Sequence, residues 1–338
     1  MKRALITGIR GQDGAYLAQL LLEKGYDVYG ADRRSSEAGF WRLRELGLEK
    51  QVKIIYMDLL EHTNVVDIIK KIQPDEVYNL AAQSFVKTSF EQPIFTAEVD
   101  AIGVLRILEA LRYYRQEARF YQASTSEMFG KVQSMPQDEQ TNFHPRSPYS
   151  IAKLFGHWVT INYRESYGMF CCSGILFNHE SPLRGFEFVT RKITRSVAGI
   201  RHGREDRLVL GNLDAKRDWG YAPEYVYAMW LMLQHERPDD YVIATGETHS
   251  VREFTERAFD AAGIRIQWEG EGPESKGRDR KTGRVLVEVS PDFYRPAEVD
   301  ILRGNPEKAI KVLGWEPKTR FDTLVQLMVE HDIRSLKP

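Results

Sequence analysis

Two residues that could transfer a proton, Tyr149 and Lys153, stand four positions apart at the start of a helical pattern that runs to Tyr167 and ends at Gly168. This i, i+4 spacing places the phenol and the ammonium group on one helix face. A neighbouring cation favours the phenolate, so we expect Lys153 to lower the pKa of Tyr149 towards the range of a general base. Taken alone, the pair is a common pattern, and its structural interpretation is a half-buried tyrosine beside a surface lysine.

Hydroxyl and carboxyl side chains follow the predicted strand Phe120–Ala123, beginning with Ser124, Thr125 and Glu127. Residues directly after a parallel strand emerge at the carboxyl edge of the sheet, where open α/β folds bind ligands. Thr125 and Glu127 therefore add a hydroxyl and a carboxylate to the tyrosine–lysine pair. The four side chains form a candidate catalytic set for proton transfer.

Glycine recurs at every third position of the segment Gly8–Gly14, between the predicted strand Ala4–Thr7 and the predicted helix Ala15–Lys24. Glycine permits positive φ and close approach of the backbone, so that amides at a helix N-terminus can face a pyrophosphate. A tight structural turn is the alternative interpretation. The position of the segment in the first strand-turn-helix unit of the chain favours a dinucleotide-binding turn.

The type of dinucleotide is selected at the end of the second predicted strand, where Asp32 is followed by Arg33 and Arg34. An acidic residue there would hold the ribose diol of NAD, whereas arginines would hold the 2′-phosphate of NADP. Arg10, within the glycine turn, adds a third guanidinium group. We therefore expect NADP. The alternative is that Arg33 and Arg34 belong to a solvated or subunit-contacting charge cluster.

Short apolar runs alternate with helical patterns in the first half of the chain, which predicts βαβ units around a parallel sheet. The predicted strands are Ala4–Thr7, Asp27–Ala31, Val52–Met57, Glu76–Leu80, Phe120–Ala123, Cys171–Leu176 and Asp240–Thr245. Later helical patterns lie at Ala222–Gln234, Val251–Ala262, Pro306–Leu313 and Phe321–Ile333. The Gly- and charge-rich stretch Gly270–Arg284 is predicted to be a loop or hairpin tip.

These elements predict an α/β fold: a Rossmann-type doubly wound parallel sheet with a smaller α/β C-terminal domain that binds substrate. The first domain is expected to comprise residues 1–178 and about 214–245. The second is expected to comprise about 179–213 and 246–338. A chain of this size commonly splits into two such units.

The chain has 338 residues and an ordinary globular composition, with 42% hydrophobic residues, 28% charged residues and a net charge of −1. This balance argues against nucleic acid or a membrane surface as a partner. No apolar run approaches the length of a membrane span, and the N-terminus carries no export signal. The two cysteines, Cys171 and Cys172, are adjacent and poorly placed for a disulfide. We expect a cytoplasmic protein without a metal site.

Longer strings of the sequence narrow this interpretation. They are Gly8–Gly14, Asn79–Val86, Gln122–Gly130, Pro145–Tyr149, Gly174–Pro182, Asp214–Gly220 and Tyr294–Asp300. Along essentially its whole length the chain resembles the extended short-chain dehydrogenases/reductases, and in particular the GDP-mannose 4,6-dehydratase family. The resemblance implies conversion of GDP-mannose to GDP-4-keto-6-deoxymannose by C4 oxidation, elimination of water across C5 and C6, and return of the hydride to C6.

The resemblance also implies roles for residues. Tyr149 would be the base at O4, Thr125 would hydrogen-bond the same oxygen, and Lys153 would hold the nicotinamide ribose. Glu127 would serve as the base at C5 and the acid for the C6 hydroxyl, a role that a simple dehydrogenase or epimerase does not need. The implied NADP contacts are Gly8, Arg10, Gly11, Gln12, Asp13, Gly14, Arg33, Arg34, Asp58, Leu59, Leu80, Ala82, Ser84, Tyr149, Lys153, His179 and Arg184. The implied GDP-mannose contacts are Ser84, Glu127, Asn178, Lys192, Arg217, Arg295 and Glu298.

The family is oligomeric through an arginine-rich loop after the second strand, which this chain retains as Arg33–Leu46, so the resemblance implies a homodimer or homotetramer. Phe95 and Arg10 stand where the family usually has tyrosine and threonine. The alternatives are a related NAD(P)-dependent sugar-nucleotide dehydratase or epimerase, and a bifunctional dehydratase-reductase. A non-catalytic Rossmann protein that senses redox state would have no need of the complete catalytic set.

Overall fold

A computed structural model describes residues 1–35, 39–293 and 301–336. In chain order the strands are β1 (Arg3–Thr7), β2 (Asp27–Asp32), β3 (Lys53–Tyr56), β4 (Glu76–Asn79), β5 (Arg119–Thr125), β6 (Cys171–Leu176), β7 (Asn178–Glu180), β8 (Leu208–Leu210), β9 (Lys216–Arg217), β10 (Trp219–Tyr221), β11 (Asp240–Ile243), β12 (His249–Ser250), β13 (Ile266–Glu269), β14 (Lys276–Asp279) and β15 (Val285–Val289). The helices are α1 (Gln12–Glu23), α2 (Trp41–Glu45), α3 (His62–Ile72), α4 (Val86–Glu91), α5 (Pro93–Ala97), α6 (Gly103–Tyr114), α7 (Pro148–Tyr167), α8 (Val189–Arg201), α9 (Ala222–Gln234), α10 (Val251–Ala261) and α11 (Phe321–Ser335). Glu98–Ile102 and Ala309–Leu313 are π-helical turns.

Within the described residues, a central sheet of seven parallel strands runs in the order β11-β6-β5-β4-β1-β2-β3. The strand order reverses between β1 and β4, as in doubly wound folds, so the segments that follow these two strands diverge and leave a crevice. All seven strands of this sheet were predicted from apolar runs. The Rossmann-type fold class is confirmed.

Adjacent residues in the central strands alternate between two cores. In β5, Phe120 packs into the core beneath α3 and α6, whereas Tyr121 packs into the core beneath α1 and α9. Cys171 and Cys172 of β6 divide in the same way, and both are free and buried. Because neighbouring side chains of a strand point to opposite faces, helices on both sides bury the central strands, whereas the edge strand β3 stays partly exposed.

Helix α7 begins and ends where the sequence predicts. Ser147 is its N-cap and forms a capping box with Ser150, and Pro148 occupies the first turn. Gly168 ends the helix with a left-handed conformation at φ 64°, which glycine adopts without steric cost. These local signals fix the start of the helix, and therefore the height of Tyr149 and Lys153 above the sheet edge.

A second sheet has the strand order β13-β14-β15-β8 and packs with α8, α10 and α11 around a separate core. The prediction of a loop or hairpin tip over Gly270–Arg284 was wrong at β14, whereas residues 280–284 do form the tip of the β14–β15 hairpin. In β14, Gly277 opposes Val287 closely, and Arg278 forms a cross-strand ion pair of 2.7 Å with Glu269. These non-local contacts form the strand without an apolar period. The two-domain division remains a prediction, with which the separate core of the second sheet is consistent.

Candidate active site

A cavity of about 420 Å³ opens at the carboxyl edge of the central sheet, where the segments after β1, β4, β5 and β6 meet the start of α7. We call it the sheet-edge cavity. The residues singled out in the sequence that line it are Gly8, Arg10, Gly11, Gln12, Asp13, Gly14, Leu80, Ala82, Ser84, Thr125, Glu127, Tyr149, Lys153, Asn178, His179 and Arg184. The fold therefore gathers segments that are distant in sequence around one space.

The glycine turn is closely packed against its neighbours. Gly8 has φ +72°, and a Cβ there would lie 2.8 Å from the backbone nitrogen of Ala81. A Cβ at Gly14 would lie 2.5 Å from the carbonyl oxygen of Gly8. Helix α1 follows with Gly11 as its N-cap, and no described side chain caps its first amides. The turn thus presents backbone N–H groups that can donate to an anion such as a pyrophosphate.

Arg10 connects the glycine turn to the end of β2. Its Nε lies 2.5 Å from Oδ2 of Asp32, and its guanidinium group lies 5.0 Å from the ring centre of Phe40. Arg42 donates hydrogen bonds to the carbonyl oxygens of Arg10, at 2.7 Å, and Leu183, at 2.6 Å. Arg42 also lines the cavity. Sequence reasoning did not select it, since an arginine in a charge-rich segment carries no motif.

A buried hydrogen-bond chain crosses β1, β4 and β5 beneath the cavity. The hydroxyl of Thr7 donates to Oδ1 of Asn79 at 2.7 Å, and Nδ2 of Asn79 donates to Oε1 of Gln122 at 2.8 Å. The backbone N–H groups of Leu80 and Ala81 both donate to the Thr7 hydroxyl at 3.0 Å. Satisfied buried networks of this kind hold strands in fixed register. This one positions the segment after β4 relative to β5.

The four candidate catalytic side chains lie together. Tyr149 and Lys153 both line the sheet-edge cavity and are 8% and 3% exposed. The Tyr149 hydroxyl hydrogen-bonds the side chain of Thr125, whose Oγ1 accepts the backbone N–H of Glu127 at 3.3 Å. The hydroxyl, the phenol, the ammonium group and the carboxylate can therefore act on one bound molecule.

The acid–base state of the pair differs from the sequence-based expectation. Burial raises the pKa of Tyr149, and the negative charge of Asp100 raises it further, whereas the hydrogen bond with Thr125 lowers it. Burial also lowers the pKa of Lys153, while Asp100 opposes that change. Desolvation thus outweighs the expected effect of lysine on the phenol, because the helix start is more deeply buried than the sequence suggested.

An ion pair closes one side of the sheet-edge cavity. Nε2 of His179 lies 2.8 Å from Oδ2 of Asp13, its Nδ1 lies 2.7 Å from the carbonyl oxygen of Phe177, and its ring stacks on Tyr225. Burial alone would raise the pKa of Asp13, but the charge of His179 lowers it. Asp13 in turn raises the pKa of His179. The pair therefore joins α1 to β7.

A second cavity, of about 500 Å³, adjoins the first. We call it the aromatic cavity because its lining includes the rings of Phe85, Phe186, Phe188, Trp219 and Phe293. Among the predicted substrate contacts, Asn178, Lys192 and Arg217 line it. Nζ of Lys192 lies 3.6 Å from the ring centre of Phe293, and burial lowers the pKa of this lysine. The cavity combines stacking surfaces with cations, which suits a nucleotide diphosphate.

The segment 184–188 forms a wall shared by the two cavities. Arg184, Glu187 and Phe188 line both of them. Phe186 stacks on Trp41 with ring centres 5.7 Å apart, so the segment 184–188 packs against α2. Of these residues only Arg184 was predicted, because nothing local in the sequence indicates which aromatic rings will meet across the fold.

Four predicted cofactor residues do not line the sheet-edge cavity. Arg33, Arg34 and Asp58 are exposed, and Arg33 lies 6.0 Å from the ring centre of Phe95. The side chain of Leu59 is buried in the core, so that only its backbone is available to a ligand. The predicted substrate contacts Arg295 and Glu298 lie outside the described residues.

The described part of the chain contains no group of three or more His, Cys, Asp and Glu side chains placed to hold a metal ion. In the same residues, no helix has the length and apolar character needed to cross a membrane.

Comparison with known proteins identifies close relatives. The profile of the family described as GDP-mannose 4,6 dehydratase matches residues 5–328. The Drosophila melanogaster protein named GDP-mannose 4,6 dehydratase is 54% identical over 344 residues, which cover 99% of this chain and 87% of that protein. The human protein of that name is 53% identical, with 99% and 92% covered. The structure of Thermus thermophilus UDP-glucose 4-epimerase in complex with NAD is 27% identical, with a TM-score of 0.81 and coverage of 99% and 100%.

The doubly wound sheet, the glycine turn and the tyrosine–lysine pair at the sheet edge define the class as short-chain dehydrogenases/reductases. Within that class, the matching profile and identities above 50% over nearly the full chain decide the family. The chain belongs to the GDP-mannose 4,6-dehydratase family. The resemblance inferred from the sequence strings is thereby confirmed.

Proposed function

We propose that the chain is an NADP-dependent lyase that converts GDP-mannose to GDP-4-keto-6-deoxymannose. The observation that carries the proposal is the convergence of Thr125, Glu127, Tyr149 and Lys153 on the sheet-edge cavity. An epimerase or a simple dehydrogenase needs the tyrosine and the lysine but has no use for the carboxylate of Glu127. Family membership supports the same substrate and reaction.

The lining of the sheet-edge cavity fits a nicotinamide dinucleotide. The uncapped start of α1 and the Gly8–Gly14 backbone would hold the pyrophosphate. Arg10, with Arg33 and Arg34 directly after its ion-pair partner Asp32, would hold the 2′-phosphate that distinguishes NADP from NAD. A bound nicotinamide ring supplies the hydride acceptor for the first step and the hydride donor for the last.

The first oxidation needs removal of the proton on O4 of the hexose. Tyr149 is suited to take it, because its hydroxyl faces the cavity beside Thr125. Thr125 would donate a hydrogen bond to the same substrate oxygen and so orient it. Lys153, one helical turn beyond Tyr149, would hold the nicotinamide ribose and favour the phenolate when it carries its proton.

The elimination step needs a base at C5 and an acid for the departing C6 hydroxyl. Once C4 is a ketone the C5 proton becomes acidic, and the Glu127 carboxylate can accept it. The same carboxyl group can then protonate the leaving hydroxyl, which departs as water. Glu127 therefore serves both halves of the elimination, and its charge is needed only after the first oxidation.

The GDP moiety would occupy the aromatic cavity. Lys192 and Arg217 would pair with the diphosphate, Asn178 would contact the sugar end, and the aromatic rings would enclose the base. By family resemblance Arg295 and Glu298 would complete the site. Because Asn178 and Arg184 line both cavities, the hexose would reach from the aromatic cavity to Tyr149 and Glu127.

We also propose a homodimer or homotetramer in a reducing cytoplasm. By family resemblance the segment Arg33–Leu46 would contribute to the subunit contact, and an apolar stripe on α7 at Ile151, Phe155 and Trp158 supports self-association. These three side chains are 57%, 43% and 55% exposed. A contiguous exposed stripe at helical spacing is typical of a subunit contact.

The function is tested by incubating the chain and NADP with GDP-mannose and with other nucleotide sugars in heavy water. We expect loss of one water from GDP-mannose alone and one solvent deuterium at C5 of the product, placed there when the enolate is reprotonated. Loss of water from another nucleotide sugar in preference would overturn the substrate assignment. A dehydrated product without deuterium at C5 would overturn the mechanism.

A further inference from the structure

A buried carboxylate lies behind the tyrosine–lysine pair, on the π-helical turn Glu98–Ile102. Asp100 is 1% exposed, and its Oδ1 accepts a hydrogen bond of 2.7 Å from the backbone N–H of Gln83. Its other oxygen, Oδ2, is buried and has no hydrogen-bond partner among the described residues. A buried charged oxygen without a partner carries a desolvation cost, so its presence requires a reason beyond packing.

Helix α7 packs directly against this π-helical turn. A Cβ at Gly156 would lie 3.1 Å from the backbone oxygen of Asp100, so glycine allows the two backbones to approach. Lys153 lies three residues earlier on α7 and is itself buried while lining the sheet-edge cavity. The carboxylate and the ammonium group act on each other through space. Asp100 does not line the sheet-edge cavity, so the π-helical turn provides Lys153 with a negative charge from outside that cavity.

The charged groups around the pair come from four elements. Asp100 comes from the π-helical turn, Glu127 from the turn after β5, Arg184 from the segment after β7, and Lys153 from α7 itself. The first two raise the pKa of Tyr149, and Arg184 lowers it. Among the described residues, Asp100 is the charged group that acts on Lys153. One carboxylate therefore influences both members of the pair.

We infer that Asp100 is a positioning residue that sets the alkaline limit of the pH range in which the tyrosine–lysine pair works. The inference rests on the proposed roles of Tyr149 and Lys153. An ionised Asp100 stabilises the ammonium form of Lys153, which the low-dielectric surroundings would otherwise discharge. Lys153 can then stay protonated at a higher pH. In that form it continues to favour the Tyr149 phenolate and to bind the nicotinamide ribose.

The direction of the effect depends on when Asp100 itself is charged. Burial raises the pKa of Asp100 to about 7, against the opposing influences of Lys153 and the Gln83 N–H. Below that pH the carboxyl group is neutral and has little effect on the pair. Above it the carboxylate forms and stabilises the protonated lysine. Its stabilisation of the protonated lysine therefore appears on the alkaline limb of activity.

The test is the pH profile of kcat/KM for GDP-mannose, at saturating NADP, of Asp100→Asn. Asparagine keeps an oxygen that can accept the Gln83 N–H but removes the charge. We expect the alkaline limb, which reports the loss of the proton from Lys153, to move to lower pH by roughly 1 unit. The matched control is Glu139→Gln, since Glu139 accepts the Val242 N–H and also has a pKa raised by burial, but does not influence the pair. Its profile should not move.

An alkaline limb that stays in place in Asp100→Asn, whatever happens to the maximal kcat/KM, would overturn the inference and leave the proposed function intact. A wild-type profile without an alkaline limb would instead overturn the role of Lys153, and the inference with it. If Asp100→Asn does not fold, Asp100→Ser serves the same test, since its hydroxyl can accept the Gln83 N–H without charge. An unshifted alkaline limb in that variant would count equally against the inference.

Discussion

The sheet-edge cavity and the aromatic cavity share a wall but differ in construction. The first is built at the ends of parallel strands and contains titratable groups at close range, among them Tyr149, Lys153 and the His179–Asp13 pair. The second is enclosed by rings and cations from the segment after β7, from α8 and from the strands near the second sheet. We therefore propose that the sheet-edge cavity carries out proton transfer, whereas the aromatic cavity supplies most of the binding energy for GDP-mannose.

This division predicts a kinetic separation. Groups used only in the transition state lower kcat when removed, whereas groups that bind substrate and transition state equally raise KM. Variants of the sheet-edge cavity should therefore lose turnover with little change in GDP-mannose affinity. Variants of the aromatic cavity should do the reverse.

The largest effect is expected for Tyr149→Phe. Without the phenol the O4 proton has no acceptor, so the first oxidation should slow by at least about 10³-fold and no reduced cofactor should form. The affinity for GDP-mannose, measured by calorimetry, should stay nearly unchanged. Tyr163→Phe is the matched control, since Tyr163 lies on the same helix and its hydroxyl bonds Glu109 at 2.5 Å. Turnover within a few-fold of wild type in Tyr149→Phe would remove this residue from the chemistry.

Glu127→Gln should separate oxidation from elimination. Loss of the C5 base should slow water loss by about 10²–10³-fold, because general acid–base assistance of this kind has that magnitude. The variant should still oxidise C4, which would give a slow single burst of reduced-cofactor absorbance with the 4-keto sugar held on the enzyme. Glu139→Gln should show normal turnover. Dehydration at the wild-type rate in Glu127→Gln would show that another group performs the elimination.

In the aromatic cavity, Lys192→Met should raise the KM for GDP-mannose by about 10- to 100-fold, which corresponds to one or two charge-assisted hydrogen bonds to the diphosphate. The value of kcat at saturation should change little. Lys276→Met removes an exposed lysine on β14 and should leave both constants unchanged. A fall in kcat without a change in KM would contradict the division between the cavities.

The two cavities also differ in how far the sequence predicts them. The glycine turn, Thr125, Glu127 and the tyrosine–lysine pair are each tied to a strand end or a helix start, and those elements have local signals. The rings of Phe186 and Phe293 meet only because β7, α8 and the second sheet come together. Asp100 is likewise visible only in three dimensions, because its partner on α7 is more than fifty residues away. The burial that raises the pKa of Tyr149 has no local signal either.

The smallest effect concerns the choice between NADP and NAD. It depends on Arg10, which lines the sheet-edge cavity. NADP should bind more tightly than NAD to the wild type. In Arg10→Met the loss of a guanidinium group should weaken NADP binding by about tenfold. The same change unpairs Asp32, which Arg10 now holds at 2.5 Å, and leaves the carboxylate able to accept the ribose diol of NAD. The affinity for NAD should therefore stay constant or improve. The ratio of the NADP affinity to the NAD affinity should decrease.

Titration calorimetry with both cofactors measures this change, and Arg44→Met is the control. Arg44 lies on α2 and pairs with Glu49 at 3.1 Å, away from the cavity lining. Its removal should leave the affinity for each cofactor unaltered. An equal loss of affinity for NADP and NAD in Arg10→Met would mean that Arg10 supports the glycine turn without reading the 2′-phosphate. The selectivity for NADP over NAD would then have to come from Arg33 and Arg34. These two exposed residues do not line the cavity and would have to extend from the surface to contact a ligand.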